Sequence, residues 1–433
     1  MDKGIFPLVD VHCMYTQLTY WALFPLKMLL GSGFGLLTIQ VIAVALVGLS
    51  AHLAWRLARY FECSRTVSHG VSLTMLVMAF AFYNFFAPWC LFFGTSALAL
   101  YFLRRSVWRL FACGVLLALS YLSKQNALVW VGVLVWAILF FESGSYRKIR
   151  GGFLAFLGFS LTVGCYILFL RWMNGSWIGS TTLLGDPSYE HGLGNLMAVF
   201  RSVLLPLVTL CVLTVVVVPF AEKVWQRRLI FLTLCALTVL SVFVVSPYPH
   251  NLVSVISIWA LYLGVTLAAA KKVRHEGAVL LLWGGFLTPV IMLFVEVLIL
   301  LLGGTIFIRG GHVHRYHEVT ACLSAYNETA TERLFVFPDG SEPYYSLYTD
   351  SDLIPANLVV RHNDNLFWGT EKLGRDDDII RDSLNHATLI LVKQSSEATF
   401  RAFWPKATTL SPIETVQGFT LYRHPPKTRQ GEI

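Results

Sequence analysis

Apolar runs fill the chain from residue 36 to residue 308, and only brief polar stretches interrupt them. A helix needs about 20 apolar residues to cross the hydrocarbon of a bilayer. The run 36–55 meets that length and ends at Arg56 and Arg59. The next uncharged stretch, 70–103, is too long for one helix, and both its flanks, Arg65 and Arg104, are basic. An even number of crossings returns a chain to the side it left, so this stretch predicts a helical hairpin. Its turn is expected at 84–88, where Pro88 cannot continue a helix. The run 110–141, between Arg109 and Arg147, predicts a second hairpin turning at 123–126. Arms this short predict helices buried among others or a locally thinned bilayer. One crossing is expected at 152–170, a long loop at 171–195, a return at 199–220, and a third hairpin from 229–245 and 252–269. The last run, 277–308, contains Gly284, Gly285, Pro289 and Glu296 and reads as one long tilted crossing. That makes about ten; a hairpin there would put the tail on the opposite face.

From Arg309 onward charges return and the pattern becomes one of short alternating elements. Residues 333–337, 387–392 and 419–423 predict strands. Residues 376–384, led by Asp376, Asp377 and Asp378, and residues 397–404 predict helices. The expected fold is therefore mainly α: a polytopic transmembrane helical bundle with a small C-terminal extracytoplasmic α/β domain. Residues 1–33 form an outer loop with an interfacial helix, 34–308 the helical domain and 309–433 the α/β domain.

The sides follow from charge. Five short loops, 56–65, 104–109, 147–150, 223–228 and 271–274, each hold three Lys or Arg. The loops between them hold only Lys124, with Arg171 at one helix end. Lys and Arg stay on the cytoplasmic side of short loops. The composition, 56% hydrophobic and 13% charged, is far from the roughly 25% charged of a soluble domain. The net charge of +8 then reads as affinity for anionic lipid headgroups rather than nucleic acid. Cys90, Cys113, Cys165, Cys211 and Cys235 lie in apolar runs as small core residues, and no disulfide framework is visible. Residues 1–30 carry no cleavable signal pattern and do not span. Sidedness nevertheless places them outside, which leads us to expect that one crossing precedes Met1.

Three segments share an order with a known family: Gly4-Ile5-Phe6-Pro7-Leu8-Val9-Asp10, Met14-Tyr15-Thr16-Gln17-Leu18-Thr19-Tyr20 and Phe24-Pro25-Leu26-Lys27-Met28-Leu29-Leu30-Gly31. The stretch resembles the first outer loop of the GT-C polytopic glycosyltransferases, which include protein mannosyltransferases and lipid A aminoarabinose transferases. Gln17 stands where Pro is usual. Leu122-Ser123-Lys124-Gln125-Asn126-Ala127 resembles the leucine–Thr/Ser–Lys–Gln turn of bacterial members. The resemblance implies transfer of a sugar from a polyprenyl-phosphate donor to an acceptor outside the cytoplasm. It also implies a main catalytic acid upstream of Met1, so the chain as it stands is expected to be inactive or weak. At the turn where the family often carries a second Asp, this chain has Asn84 and no carboxylate.

Such a displacement needs a carboxylate to take the acceptor's proton, and cations or a metal to hold the departing phosphate. Asp10 and His12 are the candidate catalytic pair, or else a solvated loop pair. Lys124 is a lone cation in a neutral outer turn and suits a lipid phosphate, unless it merely snorkels. His250, in a turn stiffened by Pro247 and Pro249, and Arg315, among His312, His314 and His317, are further phosphate candidates. Tyr15, Gln125, Asp186, Tyr189 and His191 are substrate-binding candidates. No metal-ligand set is assigned; a divalent metal at the phosphate is the one cofactor candidate. Glu296 is a membrane carboxylate, functional by default unless it marks a loop.

The sequence thus predicts a bacterial inner-membrane glycosyltransferase with a periplasmic C-terminal domain. Its partners would be a polyprenyl-phosphate sugar, membrane lipid and a cell-envelope acceptor. The rivals are a transporter or flippase, and a non-catalytic envelope scaffold. Sidedness is directly testable: in intact cells a membrane-impermeant thiol reagent should label a Cys placed at Asp339 and not one at Lys148. Labelling at Lys148 alone would reverse the orientation.

Overall fold

A computed structural model describes residues 12–13, 18–30, 36–81, 87–104, 106, 108–124, 127–172, 211, 214–215, 218–245, 253–272, 317–326, 332–337, 353–356, 359–360, 381 and 383–424. A short helix, α1 (Leu18–Leu30), precedes eight longer ones: α2 (Leu36–Tyr60), α3 (Arg65–Ala81), α4 (Ala87–Leu103), α5 (Arg109–Ser123), α6 (Leu128–Phe141), α7 (Ser145–Trp172), α8 (Lys223–Val245) and α9 (Ile256–Lys272). Three spans, Val41–Tyr60, Ser145–Trp172 and Val253–Lys272, are long and apolar enough to cross a membrane. Each of the runs 70–103 and 110–141 contains two helices, as the flanking charges require. The crossings expected at 199–220 and 277–308 lie outside the described residues, apart from Cys211, Thr214, Val215 and a single turn, Val218–Phe220.

Two local expectations are corrected. Pro88 does not sit in a turn but in the first turn of α4, where its missing N–H has no intrahelical partner to lose. The basic stretches are largely helical: Arg147, Lys148 and Arg150 lie in the opening turns of α7, Lys223 opens α8, and Lys271 and Lys272 close α9. Lys and Arg are good helix formers, so a helix continues past the apolar run that anchors it.

The arms of the second hairpin part company. α5 packs mainly on α4 and α7, and α6 on α8. α4 is buried on nearly every side, from Ala87 to Phe102, so this short helix meets protein more than it would meet lipid. α5 and α7 approach closely through glycine. A Cβ on Gly114 would stand 2.0 Å from the Ala155 carbonyl oxygen, and one on Gly158 would stand 2.2 Å from that of Phe111. Small residues let helix backbones touch where dispersion and not the hydrophobic effect holds helices together.

The described parts of the five basic loops gather at one end of the bundle. Four rings meet there, Phe61, Phe102, Phe141 and Phe231, with centroids between 5.1 and 6.5 Å apart in every pairing. Arg228 pairs with Glu62 at 2.7 Å and donates to the Phe61 carbonyl at 3.0 Å, joining the first and fourth loops. Its hydrogen bond holds the Glu62 carboxyl below its usual range. Arg109 pairs with Glu142, joining the second and third. Lys272, of the fifth, lies 5.0 Å over the Trp225 ring. At the opposite end are Lys124 and the end of α7, where Trp21 of α1 meets Phe169 at 4.9 Å.

The C-terminal region is an α/β sandwich of three layers. Its sheet runs β3 (Ile354–Pro355), β2 (Arg333–Phe337), β5 (Leu389–Lys393), β7 (Phe419–Arg423), β6 (Pro412–Val416). β2 pairs parallel with β3 and β5; β7 is antiparallel to β5 and β6. Leu334, Val336, Leu389, Leu391 and Leu421 pack with Val319 and Leu323 of α10 (His317–Ala325) on one face. Phe335, Phe337, Ile390, Val392 and Tyr422 pack with Phe400 and Trp404 on the other. Strands covered on both faces read as continuous apolar runs, which is why 333–337, 387–392 and 419–423 were legible. β6 and α10 were not foreseen. Gln417 (φ 47°) and Gly418 (φ 79°) make the two-residue turn of the β6–β7 hairpin, whose positive φ values match the strand twist. Of the helix expected at 376–384, residues 381 and 383–386 are helical and 376–380 lie outside the described residues. β1 (His12–Cys13) pairs parallel with β4 (Val359–Val360), so the N-terminal segment and the C-terminal region must share one side.

The glycine contacts make a graded test. Gly114→Ala and Gly158→Ala should each lower stability by about 1–3 kcal/mol, because backbone and not a flexible tip is in the way. Gly164→Ala, on the same α7 helix with nothing within 4 Å of its Cβ, should leave the unfolding temperature unchanged or raise it. Equal responses at the three positions in detergent would refute the α5–α7 packing.

Candidate functional site

α5 stops at Ser123, and Lys124 leaves the helix in an extended conformation (φ −160°, ψ 126°). Its N–H still bonds the Ser120 carbonyl at 3.1 Å, and its own carbonyl accepts from Ala127 at 3.0 Å just before α6 begins. The turn is held tightly by its backbone, and it aims the side chain inward. Lys124 is 2% exposed, so it does not snorkel to the surface. Among the described residues its Nζ has no hydrogen-bond partner. Burial pushes its pKa down to about 8 from an ordinary 10.5, with the Cys90 thiol as its electrostatic neighbour.

Four segments converge around that amine. Cys90 of α4 donates its thiol to the Ser254 carbonyl at 3.9 Å. Ser120 of α5 donates to the Cys90 carbonyl at 2.8 Å. Trp130 of α6 donates its indole N–H to the Ser254 carbonyl at 2.9 Å, and its ring fills the space a side chain on Gly94 would need. Ser254 lies in a single turn, residues 253–255, ahead of α9. One turn further toward the basic end, the hydroxyls of Thr95 and Ser257 share a hydrogen bond of 2.8 Å. The result is a buried polar cluster inside an apolar bundle, at the end opposite the basic loops. An ammonium there, sealed from water and with no counter-charge among the described residues, is costly unless an anion is brought to it.

Lys124 is the one sequence-predicted site residue whose side chain is described. His12 is described as backbone only, in β1. Asp10, Tyr15, Gln125, Asp186, Tyr189, His191, His250 and Arg315 lie outside the described residues, as do His312, His314 and Glu296. Gln125 follows Lys124 in sequence, and His250 precedes Ser254 by four positions. Among the described residues no group of three His, Cys, Asp or Glu gathers as metal ligands would. In sequence Cys90 reads as a small core residue, and Ser120, Trp130 and Ser254 are not singled out; the available signal was hydroxyls near the outer ends of apolar runs.

No family model matches the chain, and no curated protein matches it. Among solved structures it is similar to a crystal structure of ArnT from Cupriavidus metallidurans in the apo state. The TM-score is 0.56 at 14% identity, over 88% of this chain and 82% of that one. At that identity the likeness is one of fold. The fold of the chain is similar to the fold of that ArnT, and nothing finer follows from the likeness.

The buried amine gives stability a pH dependence of definite sign. Below about pH 8 both folded and unfolded chains hold the Lys124 proton, and the cost of burying the charge is fully present. Between about 8 and 10.5 the unfolded chain holds more of that proton, so stability rises with pH. Lys124→Met should therefore be more stable than the parent near pH 7.5, with the gap narrowed by pH 9.5 and gone only above about pH 10.5 in thermal unfolding. A gap that stays constant would mean that the amine is not sealed.

Proposed function

We propose that the chain is a bacterial inner-membrane glycosyltransferase of GT-C type, moving a sugar from a polyprenyl-phosphate donor to an envelope glycan, lipid or protein. The observation that carries this reading is Lys124: a cation with no hydrogen-bond partner among the described residues, buried in a polar cluster of a bundle similar in fold to ArnT, at the end away from the basic loops. ArnT is the name of a lipid A aminoarabinose transferase, which fits the family resemblance.

In the proposed reaction an acceptor oxygen attacks the anomeric carbon as the bond to the donor's phosphate breaks. The proton of the acceptor passes to a carboxylate, for which Asp10 is the candidate, assisted by His12. Charge grows on the departing phosphate, and Lys124, with His250 and Arg315, would stabilise it there more than in the ground state. Tyr15, Gln125, Asp186, Tyr189 and His191 would line the sugar and acceptor. A divalent metal, if one is bound, would add a further positive charge at the phosphate.

The test is transfer of radiolabelled sugar from donor lipid in proteoliposomes. Where the parent supports measurable transfer, Asp10→Asn should lower the rate by about 10²–10⁴-fold, the range for a lost acid–base group. Lys124→Ala should weaken donor binding by roughly 1.5–3 kcal/mol, or about 10–100-fold. Donor turnover that neither substitution alters would defeat these assignments.

A further inference from the structure

Two side-chain atoms of the Lys124 cluster are buried without a hydrogen-bond partner: the Lys124 Nζ and the Ser254 Oγ. Ser254 is fully buried. Cys90 is a neighbour of both residues, with its thiol on the Ser254 carbonyl and within electrostatic reach of Lys124. The carbonyl of Ser254 is already committed. It accepts from Trp130, whose indole is wedged against Gly94, so the residue is held while its hydroxyl is left over. An ammonium has only donors to offer, and a hydroxyl also donates. A group that can satisfy both at once must offer several acceptors and negative charge, which is the chemistry of a phosphate.

We propose that Ser254 donates its hydroxyl hydrogen to the same phosphate that Lys124 holds, making a two-donor oxyanion pocket from the end of α5 and the turn that opens α9. This rests on the glycosyltransferase reading and adds a binding residue to it. The pocket joins segments from two distant apolar runs, so phosphate binding would tie the outer end of α5 to that of α9. The two groups are frustrated within the protein: each has hydrogen-bonding capacity that its neighbours do not meet and an anion would. Stability given up at a site in this way is a common cost of function.

The frustration supplies a test that a structural hydroxyl would fail. The purified chain in nanodiscs is offered undecaprenyl phosphate, undecaprenol and inorganic phosphate, and both binding and unfolding temperature are read. Undecaprenyl phosphate should bind and stabilise, and the alcohol should not. Ser254→Ala should weaken phosphate binding about tenfold, while Ser254→Thr, which keeps the hydroxyl, should retain most of it. Without ligand, Ser254→Ala should be as stable as the parent or more so, since it removes an unpaired buried group. Equal Ser254-dependent stabilisation by inorganic phosphate would uphold the pocket and identify free phosphate as its ligand. If Lys124→Ala weakens binding and Ser254→Ala does not, the two-donor pocket is refuted while the functional reading stands. If neither weakens it, both fall. A loss of ligand-free stability in Ser254→Ala would show that water already pairs the hydroxyl, and would also overturn the proposal.

Discussion

Holding a Lys or Arg in hydrocarbon costs at least about 2.5–3.5 kcal/mol per residue, and this constraint orders the whole bundle. It outweighs local preferences. Arg65, Arg109 and Lys223 stand at helix starts, where the helix dipole opposes a cation by about 0.3–1 kcal/mol. Immersion in hydrocarbon would cost more than that opposition, so the cations stay at the common end whichever helix terminus that is. With the charges confined there, the chain can seal the same end through the four-ring cluster of Phe61, Phe102, Phe141 and Phe231 and the ion pairs of Arg109 and Arg228.

Once the basic end is closed, the remaining polar groups stand out against the rule. Lys124 is a cation at the far end, and it is not displaced to the surface but enclosed. Its surroundings are organised: Ser120, Trp130 and Cys90 use their donors on neighbouring carbonyls, while Lys124 and Ser254 are left unpaired. Satisfied groups around two unsatisfied ones describe a framework rather than a packing fault. Gly94 contributes by its missing side chain, since Trp130 lies where a Cβ would be.

The C-terminal domain belongs to the same end by backbone pairing. β1 brings the N-terminal segment, neighbour of Asp10 in sequence, into register with β4 of the C-terminal region. α1 meets the far end of α7 through Trp21 and Phe169. The N-terminal segment is thus tied both to the C-terminal region and, through α1, to the end of α7 away from the basic loops.

The sequence by itself determined which stretches carry the clustered positive charge, the pairs of helices within the long apolar runs and the central strands. Each of these follows from signals local to a run: its length, its flanking charges, or its unbroken β-branched and aromatic content. Lys124 was legible as well, because a single cation violates the charge rule of its neighbourhood. Where helices begin was less legible, as Pro88 and Arg147 show, because basic residues propagate a helix as well as they end an apolar run. Only the tertiary structure decided that Lys124 is buried and that Cys90, Ser120, Trp130 and Ser254 surround it. Those residues come from separate apolar runs, and each reads there as an ordinary core position. Their meeting depends on which helices touch and how closely, and that is set by glycine contacts and ring packing between segments distant in the chain, not by any pattern within one of them.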